Sequence, residues 1–348
     1  MQAITVLPGV ADSLRLENLQ QPPGHGDLLV EAVALGVCGT DLEIIAGHYG
    51  QAPPGREQLV LGHESLGRVL RAPGSSGFDA GDMVVGIVRH PDPQPCPDCA
   101  IGEWDMCGNG FYTEHGIKAL DGFGAEQFFL PSAMAVKVDP ALGLAAVLLE
   151  PASIVAKAWE HVDRIGHRAL AWQPRSVLVT GAGPIGLLAA LMASQRGLDV
   201  HVVDRNTTGL KPSLVRQLGA TPYDGMSALG ALAPDIVIEC TGAGAVALDV
   251  MRRIAPGGIV CLTGVGVDNP AIGVDFGHLN RSLVLGNIVV FGSVNANRRH
   301  YQAAAAALDR ADRGWLDRVI SRRVPQARWR EAFERRRDDV KVIIEFGK

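Results

Sequence analysis

Two short segments near the N-terminus carry side chains that bind transition metals. Cys38 lies in the run Gly-Val-Cys-Gly-Thr-Asp (36–41), and His63 and Glu64 lie in Gly-His-Glu (62–64). A thiolate, an imidazole and a carboxylate form a mixed ligand set that Zn²⁺ accepts, and a site with three protein ligands keeps a position open for a reacting oxygen. We therefore predict a catalytic zinc site. The alternative is a buried core cysteine and an unrelated core histidine.

A second group of cysteines, farther along the chain, has spacing typical of a structural metal site. Cys96 and Cys99 are two residues apart in Cys-Pro-Asp-Cys, and Cys107 follows after a short loop. Three thiolates supply most of a tetrahedral zinc shell and leave one ligand to be found. The candidates for that ligand are Asp92, His90 and Asp98. The alternative is a set of free surface thiols.

A glycine turn in the second half of the chain has the pattern of a dinucleotide-binding site. Residues 181–186 read Gly-Ala-Gly-Pro-Ile-Gly, after the apolar run 176–180 and before a helix-compatible segment at 187–196. The first glycine permits a tight turn, the second lets a pyrophosphate approach the backbone, and the third lets helix and strand pack closely. This strand, turn and helix context predicts binding of NAD or NADP.

The residues after the next predicted strand bear on which dinucleotide binds. Asp204 would accept hydrogen bonds from free ribose hydroxyls and repel a 2′-phosphate, which favours NAD. Arg205 argues the other way, because a guanidinium can hold that phosphate. We predict a preference for NAD with NADP tolerated. The predicted cofactor-binding residues are Gly181, Gly183, Pro184, Ile185, Gly186, Asp204, Arg205, Thr241, Thr263, Val265 and Asn295.

Composition and charge narrow the class of protein. The chain has 348 residues, of which 47% are hydrophobic and 20% charged, and this is enough for about two globular domains. The formal net charge of -5 gives no reason to expect a nucleic-acid partner. The N-terminus has no secretion pattern, the uncharged run 176–195 is interrupted by glycines and Pro184, and the six cysteines are unevenly placed. We expect a cytoplasmic protein that does not bind membranes.

The texture of the sequence changes near residue 176. Up to about residue 150, short β-branched runs such as 28–33, 67–70 and 83–88 alternate with Gly and Pro and predict an irregular β domain. After it, strands at 176–180, 200–204, 235–240 and 258–262 alternate with helices at 187–196, 210–218 and 245–254, which predicts a doubly wound parallel sheet. An edge strand at 284–290, helices at 299–311 and 329–337, and a closing strand at 341–346 complete the prediction.

These motifs, in this order, resemble those of the zinc-containing medium-chain dehydrogenase/reductase family. The matching motifs span essentially the whole chain. They are Cys38-Gly-Thr40-Asp, Gly62-His63-Glu64, the cysteine lobe (Cys96, Cys99 and Cys107), Leu149-Glu150-Pro151 and the dinucleotide turn. Within the family, the segment 109–118 (Asn-Gly-Phe-Tyr-Thr-Glu-His-Gly-Ile-Lys) and Val294-Asn295 are similar to the glucose 1-dehydrogenase group. The resemblance implies a Rossmann domain over 152–292 and a GroES-like catalytic domain over 1–151 and 293–348.

The resemblance also implies roles for individual residues. It makes Cys38, His63 and Glu150 the catalytic zinc ligands, with Glu64 a fourth or alternating ligand, and it places Thr40 beside the reacting oxygen. It implies that Glu114 and Asn295 bind sugar hydroxyls. Glu150 precedes a proline and could instead simply end a helix. Position 93, where the family usually has the first of four structural cysteines, is Pro.

The implied reaction is hydride transfer from C1 of an aldose, D-glucose giving the lactone, to NAD(P). One alternative is another zinc-dependent polyol or alcohol dehydrogenase, acting on sorbitol, xylose or a secondary alcohol. The other is a nucleotide-binding protein of the same fold without catalysis. A sugar or polyol substrate is expected in either enzyme. The family's dimers and the apolar run 283–291 suggest a homodimer or homotetramer.

Overall fold

The computed structural model describes residues 1–266 and 270–347 and divides into two compact units. The first unit contains Met1–Ser153 and Asn295–Lys348, so the chain leaves it and returns. The second unit is the continuous segment Ile154–Val294.

Short strands make up much of the described chain. In chain order they are β1 (Gln2–Val6), β2 (Arg15–Asn18), β3 (Leu28–Val37), β4 (Leu59–Val60), β5 (Glu64–Arg71), β6 (Met83–Gly86), β7 (Arg89–His90), β8 (Thr113–His115), β9 (Ala119–Leu120), β10 (Gln127–Leu130), β11 (Ala135–Lys137), β12 (Ser176–Thr180), β13 (Asp199–Val203), β14 (Thr221–Tyr223), β15 (Ile236–Glu239), β16 (Ile259–Leu262), β17 (Val289–Gly292), β18 (Ile320–Pro325) and β19 (Lys341–Glu345).

Helices connect many of these strands. The α-helices are α1 (Gly39–Ile45), α2 (Pro97–Ala100), α3 (Leu149–Gly166), α4 (Pro184–Ser194), α5 (Leu210–Gln217), α6 (Gly244–Arg253), α7 (Phe276–Leu285), α8 (Arg298–Asp309) and α9 (Arg313–Val319). Short 3₁₀ segments lie at Trp104–Met106, Ser132–Met134, Pro140–Leu148, Met226–Leu229 and Gln326–Phe333.

The first unit is built around the long strand β3. Its main sheet has the order β11-β6-β5-β3-β19-β18, with β10 also pairing with β3. Alternate β3 residues such as Leu28, Val30 and Ala32 are buried, and they pack in a core with side chains from β1, β6, β10 and β19. Two smaller sheets, β2-β1-β4 and β7-β8-β9, complete the described part of this unit. This is the irregular β architecture expected up to about residue 150.

The second unit is a parallel sheet of the order β14-β13-β12-β15-β16-β17. Its central strand β12 is buried over four of five residues, and α4 after it is apolar and buried over most of its length. A strand buried on both faces and followed by such a helix can only lie at the centre of a doubly wound sheet. The predicted mixed α/β fold class is therefore confirmed.

The sequence-based predictions of two elements were wrong in part. Residues 284–285 belong to helix α7, which starts at the N-cap Asp275 and ends at Gly286, so the edge strand is only Val289–Gly292. An apolar run does not distinguish helix from strand by itself, and the cap at Asp275 decided it. The helix predicted at 329–337 is a 3₁₀ segment that ends at Phe333.

One helical stretch, Pro140–Gly166, meets the length and composition of a membrane span, with a mean hydropathy of 1.6. In the protein 78% of its apolar window is buried, as in the core helix of a globular protein. The uncharged run 176–195, in contrast, is β12, the glycine turn and α4.

Two buried histidines of the small β7-β8-β9 sheet lie against each other. The ring centroids of His90 and His115 are 4.7 Å apart in an edge-on contact. Burial and the nearby His25 lower the pKa of His90 to about 4. Burial and His90 also lower the pKa of His115 well below its ordinary value. The His90 imidazole is therefore neutral in the folded protein at pH 6.

We expect the protein to lose stability as the pH falls from 6.5 to about 4. The unfolded chain binds protons at the ordinary histidine pKa, whereas folded His90 stays neutral until about pH 4. His90 alone then contributes a loss of roughly 3 kcal/mol across the full window, at about 1.4 kcal/mol per pKa unit. Urea unfolding midpoints at several pH values would measure this. His90→Gln should flatten the pH dependence and His278→Gln, at an exposed position, should not; equal slopes in both variants would contradict the prediction.

Candidate active site

The C-terminal end of β3 brings the proposed metal ligands together. The strand pairs Gly36 with Glu64 of β5 on one side and with Ile343 of β19 on the other. Cys38 follows β3 directly and is the N-cap of α1, while His63 immediately precedes β5. The Cys38 thiol, a His63 ring nitrogen and a Glu64 carboxylate oxygen all lie within 4.8 Å of one another. Residues 25 positions apart in sequence thus form one cluster of ligand atoms.

Asp41 fixes Cys38 and His63 relative to each other. Its Oδ2 accepts a hydrogen bond from the Cys38 amide at 2.8 Å, and its Oδ1 lies 3.3 Å from Nδ1 of His63. Burial lowers the pKa of His63, but Asp41 and Cys38 outweigh burial and raise that pKa well above its ordinary value. A carboxylate at Nδ1 leaves Nε2 to face a metal, as in many metal-binding histidines.

Glu64 has a second partner in Lys341, the first residue of β19. The Lys341 ammonium lies 2.6 Å from both carboxylate oxygens, and both side chains are buried. Burial lowers the pKa of Lys341, but Glu64, Cys38 and Glu150 together outweigh burial and raise it. Gly36 leaves room for this pair, because a Cβ there would lie 2.0 Å from Oε2 of Glu64.

Glu150 belongs to the same electrostatic group. It lies in the first turn of α3, is 6% exposed, and does not end a helix. Burial raises its pKa to about 7; Glu64 adds to this shift, whereas His63 and Lys341 oppose it. A divalent cation would relieve the repulsion among the buried carboxylates, and the sulfur, nitrogen and oxygen donors are those that Zn²⁺ prefers. The residues therefore fit a zinc ion.

The residues assigned to the sugar lie in the first unit. Glu114 of β8 is 4% exposed, and its Oε1 accepts a hydrogen bond from Nδ2 of Asn295 at 2.7 Å. Thr40 lies in the first turn of α1, with its hydroxyl 3.9 Å from the Cys38 sulfur. Arg89, which the sequence did not single out, pairs with Glu114.

The three lobe cysteines also converge. The sulfur atoms of Cys96, Cys99 and Cys107 lie within 4.8 Å of one another. Hydrogen bonds from the Cys99 and Gly108 amides lower the pKa of Cys96, whereas burial raises the pKa of Cys99. Three thiols at this separation fit three of the four positions of a structural zinc ion.

Among the described residues, the cluster of lobe sulfur atoms includes no carboxylate that would supply a fourth ligand. The Asp92 carboxylate accepts hydrogen bonds from the Gln94 amide at 2.9 Å and from the Asn109 side chain. Within the described residues, Asp92, His90 and Asp98 are not part of the sulfur cluster. A role for Asp92 as the fourth ligand stays a prediction.

Several predicted cofactor residues of the second unit lie at the carboxyl end of the strands of the parallel sheet. Gly181, Asp204, Thr241 and Thr263 follow the carboxyl ends of β12, β13, β15 and β16, where nucleotides bind in such sheets. Gly183 caps helix α4, which contains Pro184, Ile185 and Gly186, and the exposed Val265 follows Thr263. Asn295 does not lie in this unit.

Two glycines of the turn are required by its geometry. Gly181 has φ +87°, a left-handed conformation. A Cβ on Gly186 would lie 1.7 Å from the Gly181 carbonyl oxygen. Strand and helix can therefore meet this closely only with glycine at 186.

Asp204 is already bonded to the backbone around it. Its Oδ2 accepts from the Ala182 amide at 2.7 Å and its Oδ1 from the Asn206 amide at 2.8 Å. The ammonium of Lys211 is 3.9 Å from the carboxylate, and Arg205 is exposed beside it. Asp204 therefore holds the backbone of the glycine turn and of the segment after β13.

Sequence reasoning missed Asp41, Lys341 and Arg89. Asp41 had a local signal, because an acidic residue three positions after a helix cap often bonds back to the cap. Lys341 had none, since it comes from the last strand and meets Glu64 only through the pairing of β3 with its two neighbours. Arg89 likewise depends on the pairing of β7 with β8.

Family models match two parts of the chain. The alcohol dehydrogenase GroES-like domain matches residues 24–140, and the glucose dehydrogenase C-terminus matches residues 143–346. Together they span most of both units.

Whole-chain relatives agree with these matches. The chain is 39% identical to glucose 1-dehydrogenase 1 of Caldivirga maquilingensis, over 100% of this chain and 99% of that one, and 40% identical to glucose 1-dehydrogenase of Thermoproteus tenax, over 99% of each. Haloferax mediterranei glucose dehydrogenase, solved with NADP, Zn and gluconolactone, superposes with a TM-score of 0.91 at 31% identity over 100% of both chains. The chain therefore belongs to the zinc-containing medium-chain dehydrogenase/reductase family, in its glucose 1-dehydrogenase group.

Proposed function

We propose that this protein is an NAD(P)-dependent oxidoreductase that uses zinc to oxidise C1 of an aldose, D-glucose, to the lactone. The observation that carries the proposal is the cluster of Cys38, His63 and Glu64 beside the buried Glu150. The likeness of the whole chain to a glucose dehydrogenase solved with NADP, Zn and gluconolactone supports D-glucose as the substrate.

In this proposal Cys38, His63 and Glu150 hold the zinc ion, and Glu64 is an alternating ligand. Zinc bound there would supply Lewis-acid chemistry that lowers the pKa of the sugar C1 hydroxyl. Oxidation removes a hydride from C1, which a bound dinucleotide would accept, and a proton from the hydroxyl, which Thr40 would relay to solvent by accepting it while donating its own hydroxyl proton onward. Glu114 and Asn295 bind other hydroxyls of the sugar and so orient C1.

Catalysis and dinucleotide binding are assigned to different domains in this proposal. We propose residues 1–151 and 293–348 as the catalytic domain and 152–292 as the dinucleotide-binding domain, with the glycine turn at the cofactor pyrophosphate. We also propose that Cys96, Cys99 and Cys107 hold a structural zinc ion.

The second unit has a sheet edge that suits self-association. Strand β17 lies at that edge, and Val284 and Leu285 of the preceding helix are 65% and 67% exposed. Such an edge can pair with a second copy of itself, which supports a homodimer or homotetramer. A cytoplasmic location without membrane or nucleic-acid partners stays a prediction.

A substrate panel tests the reaction itself. Initial rates with D-glucose, galactose, xylose, sorbitol and a secondary alcohol, each with NAD and with NADP, should give the highest kcat/KM for an aldose. A zinc-loaded enzyme that oxidised only polyols or simple alcohols would contradict the proposal.

We expect Cys38→Ser and His63→Ala to reduce kcat by at least about 10³-fold, because each removes a ligand of the ion that activates the hydroxyl. Zinc content measured by mass spectrometry should fall by about one ion per chain. Dinucleotide binding, measured by fluorescence titration, should not change. The control is Cys261→Ala, at a buried cysteine of the second unit. Full activity in either ligand variant would refute the assignment.

We expect substitutions at 204 and 205 to separate the two cofactors. Arg205→Ala should weaken NADP by about 10-fold and leave NAD unchanged, because the guanidinium would hold the 2′-phosphate that NAD lacks. Asp204→Ala should weaken NAD by about 10-fold, through lost ribose bonds and a loosened turn. Binding constants for both dinucleotides would measure this, with the exposed Arg216→Ala as control. Unchanged NAD affinity in Asp204→Ala would remove Asp204 from the role.

A further inference from the structure

Arg89 makes a forked contact with the carboxylate assigned to the sugar. Its Nε and Nη2 both lie 3.0 Å from Oε1 of Glu114, and both side chains are about 5% exposed. The pair follows from the register of β7 with β8, in which Arg89 is directly opposite Glu114. A desolvated pair of this kind is rigid, because moving either member would leave a buried charge without its partner.

The two oxygens of Glu114 have different roles. Oε1 accepts both Arg89 contacts and the Asn295 bond at 2.7 Å. Among the described residues, the hydrogen bonds and ion pairs of the Glu114 carboxylate all go to Oε1. A carboxylate has acceptor sites on both oxygens. Oε2 is therefore the atom left to accept a bond from a ligand.

Arg89 itself is held from two further directions. Its Nη1 donates to the Asp105 carbonyl at 3.3 Å, and its guanidinium lies 3.7 Å from the centre of the Tyr112 ring. The Asp105 carboxylate accepts from Nδ2 of Asn297 at 2.7 Å, two residues beyond Asn295. All three guanidinium nitrogens contact groups of the protein, which leaves only the second hydrogens of Nη1 and Nη2 for other partners.

We propose that Arg89 is a positioning residue that determines specificity for a neutral sugar: it saturates Oε1 of Glu114 and leaves Oε2 as the acceptor for one sugar hydroxyl. This inference rests on the proposed function. The Arg89 charge balances that of Glu114, so the site favours an uncharged aldose over a sugar phosphate or a sugar acid. Loss of the fork would let the carboxylate rotate and weaken sugar binding, without touching the zinc ligands or the dinucleotide residues.

The test compares Arg89→Lys, which keeps the charge but loses the fork, with Arg89→Met, which loses both. We expect the KM for D-glucose to rise about 10-fold in Arg89→Lys and further in Arg89→Met, with kcat within about 3-fold and the KM for the dinucleotide unchanged. The matched control is Arg322→Lys, which alters a forked pair with Asp339 in the same unit. Thermal unfolding of each variant reports its folding, and Arg89→Lys keeps the test usable if Arg89→Met is unstable.

Monodeoxy sugars identify the hydroxyl and exclude a merely structural role. Glucose analogues that lack the hydroxyl at C2, C3 or C4 identify the one that Glu114 binds. The analogue without that hydroxyl should have a raised KM in the wild type. Its KM should be the same in Arg89→Lys, because the bond that Arg89 supports is already missing. In a Glu114→Gln background, Arg89→Lys should likewise change the KM by less than about 3-fold. An unchanged glucose KM in both Arg89 variants, or an equal rise for every deoxy sugar, would overturn the inference while the proposed function stands. A wild type that oxidises no aldose would overturn both.

Discussion

The active-site region of the first unit holds several carboxylates in a buried space. The rest of the site depends on how the fold stabilises these buried negative charges. Asp41, Glu64 and Glu150 are each 6% exposed or less, and Asp41 and Glu64 lie beside Cys38. Buried carboxylates are tolerated only with partners. The protein supplies Lys341 for Glu64 and His63 for Asp41. A divalent cation held by the ligands proposed above would offset the negative charge that these partners leave.

This balance is achieved by strand register. Glu64, Lys341 and Cys38 meet because β5 and β19 both pair with the last residues of β3. Gly36 in that strand has no side chain, and its missing Cβ is the space that the Glu64 carboxylate occupies. A slip of one residue in the pairing of β5 or β19 with β3 would turn Glu64 or Lys341, respectively, towards the opposite face of the sheet. The sheet therefore determines the chemistry of the site as directly as the ligands do.

Much of the second unit could be predicted because its signals are local. Buried apolar strands, the glycine turn and helix-compatible runs give the parallel sheet to within a residue or two at most boundaries. The apolar run at 284–290 was ambiguous, because helix and strand both suit it. In the first unit the ligand residues were recognisable by type and order, but Lys341 and Arg89 act through pairings between distant strands. No local pattern carries that information.

Asn295 shows how the substrate region combines fold and recognition. It is the first residue of the chain's return to the first unit, and its φ of +62° is left-handed, which asparagine tolerates better than most residues. Its Oδ1 accepts from the Ala296 amide at 2.7 Å, and its Nδ2 donates to Glu114. The side chain thus stabilises an uncommon backbone turn and orients the carboxylate assigned to the sugar. Where one side chain holds the turn and the ligand-facing group together, the geometry for recognition is set before any substrate arrives.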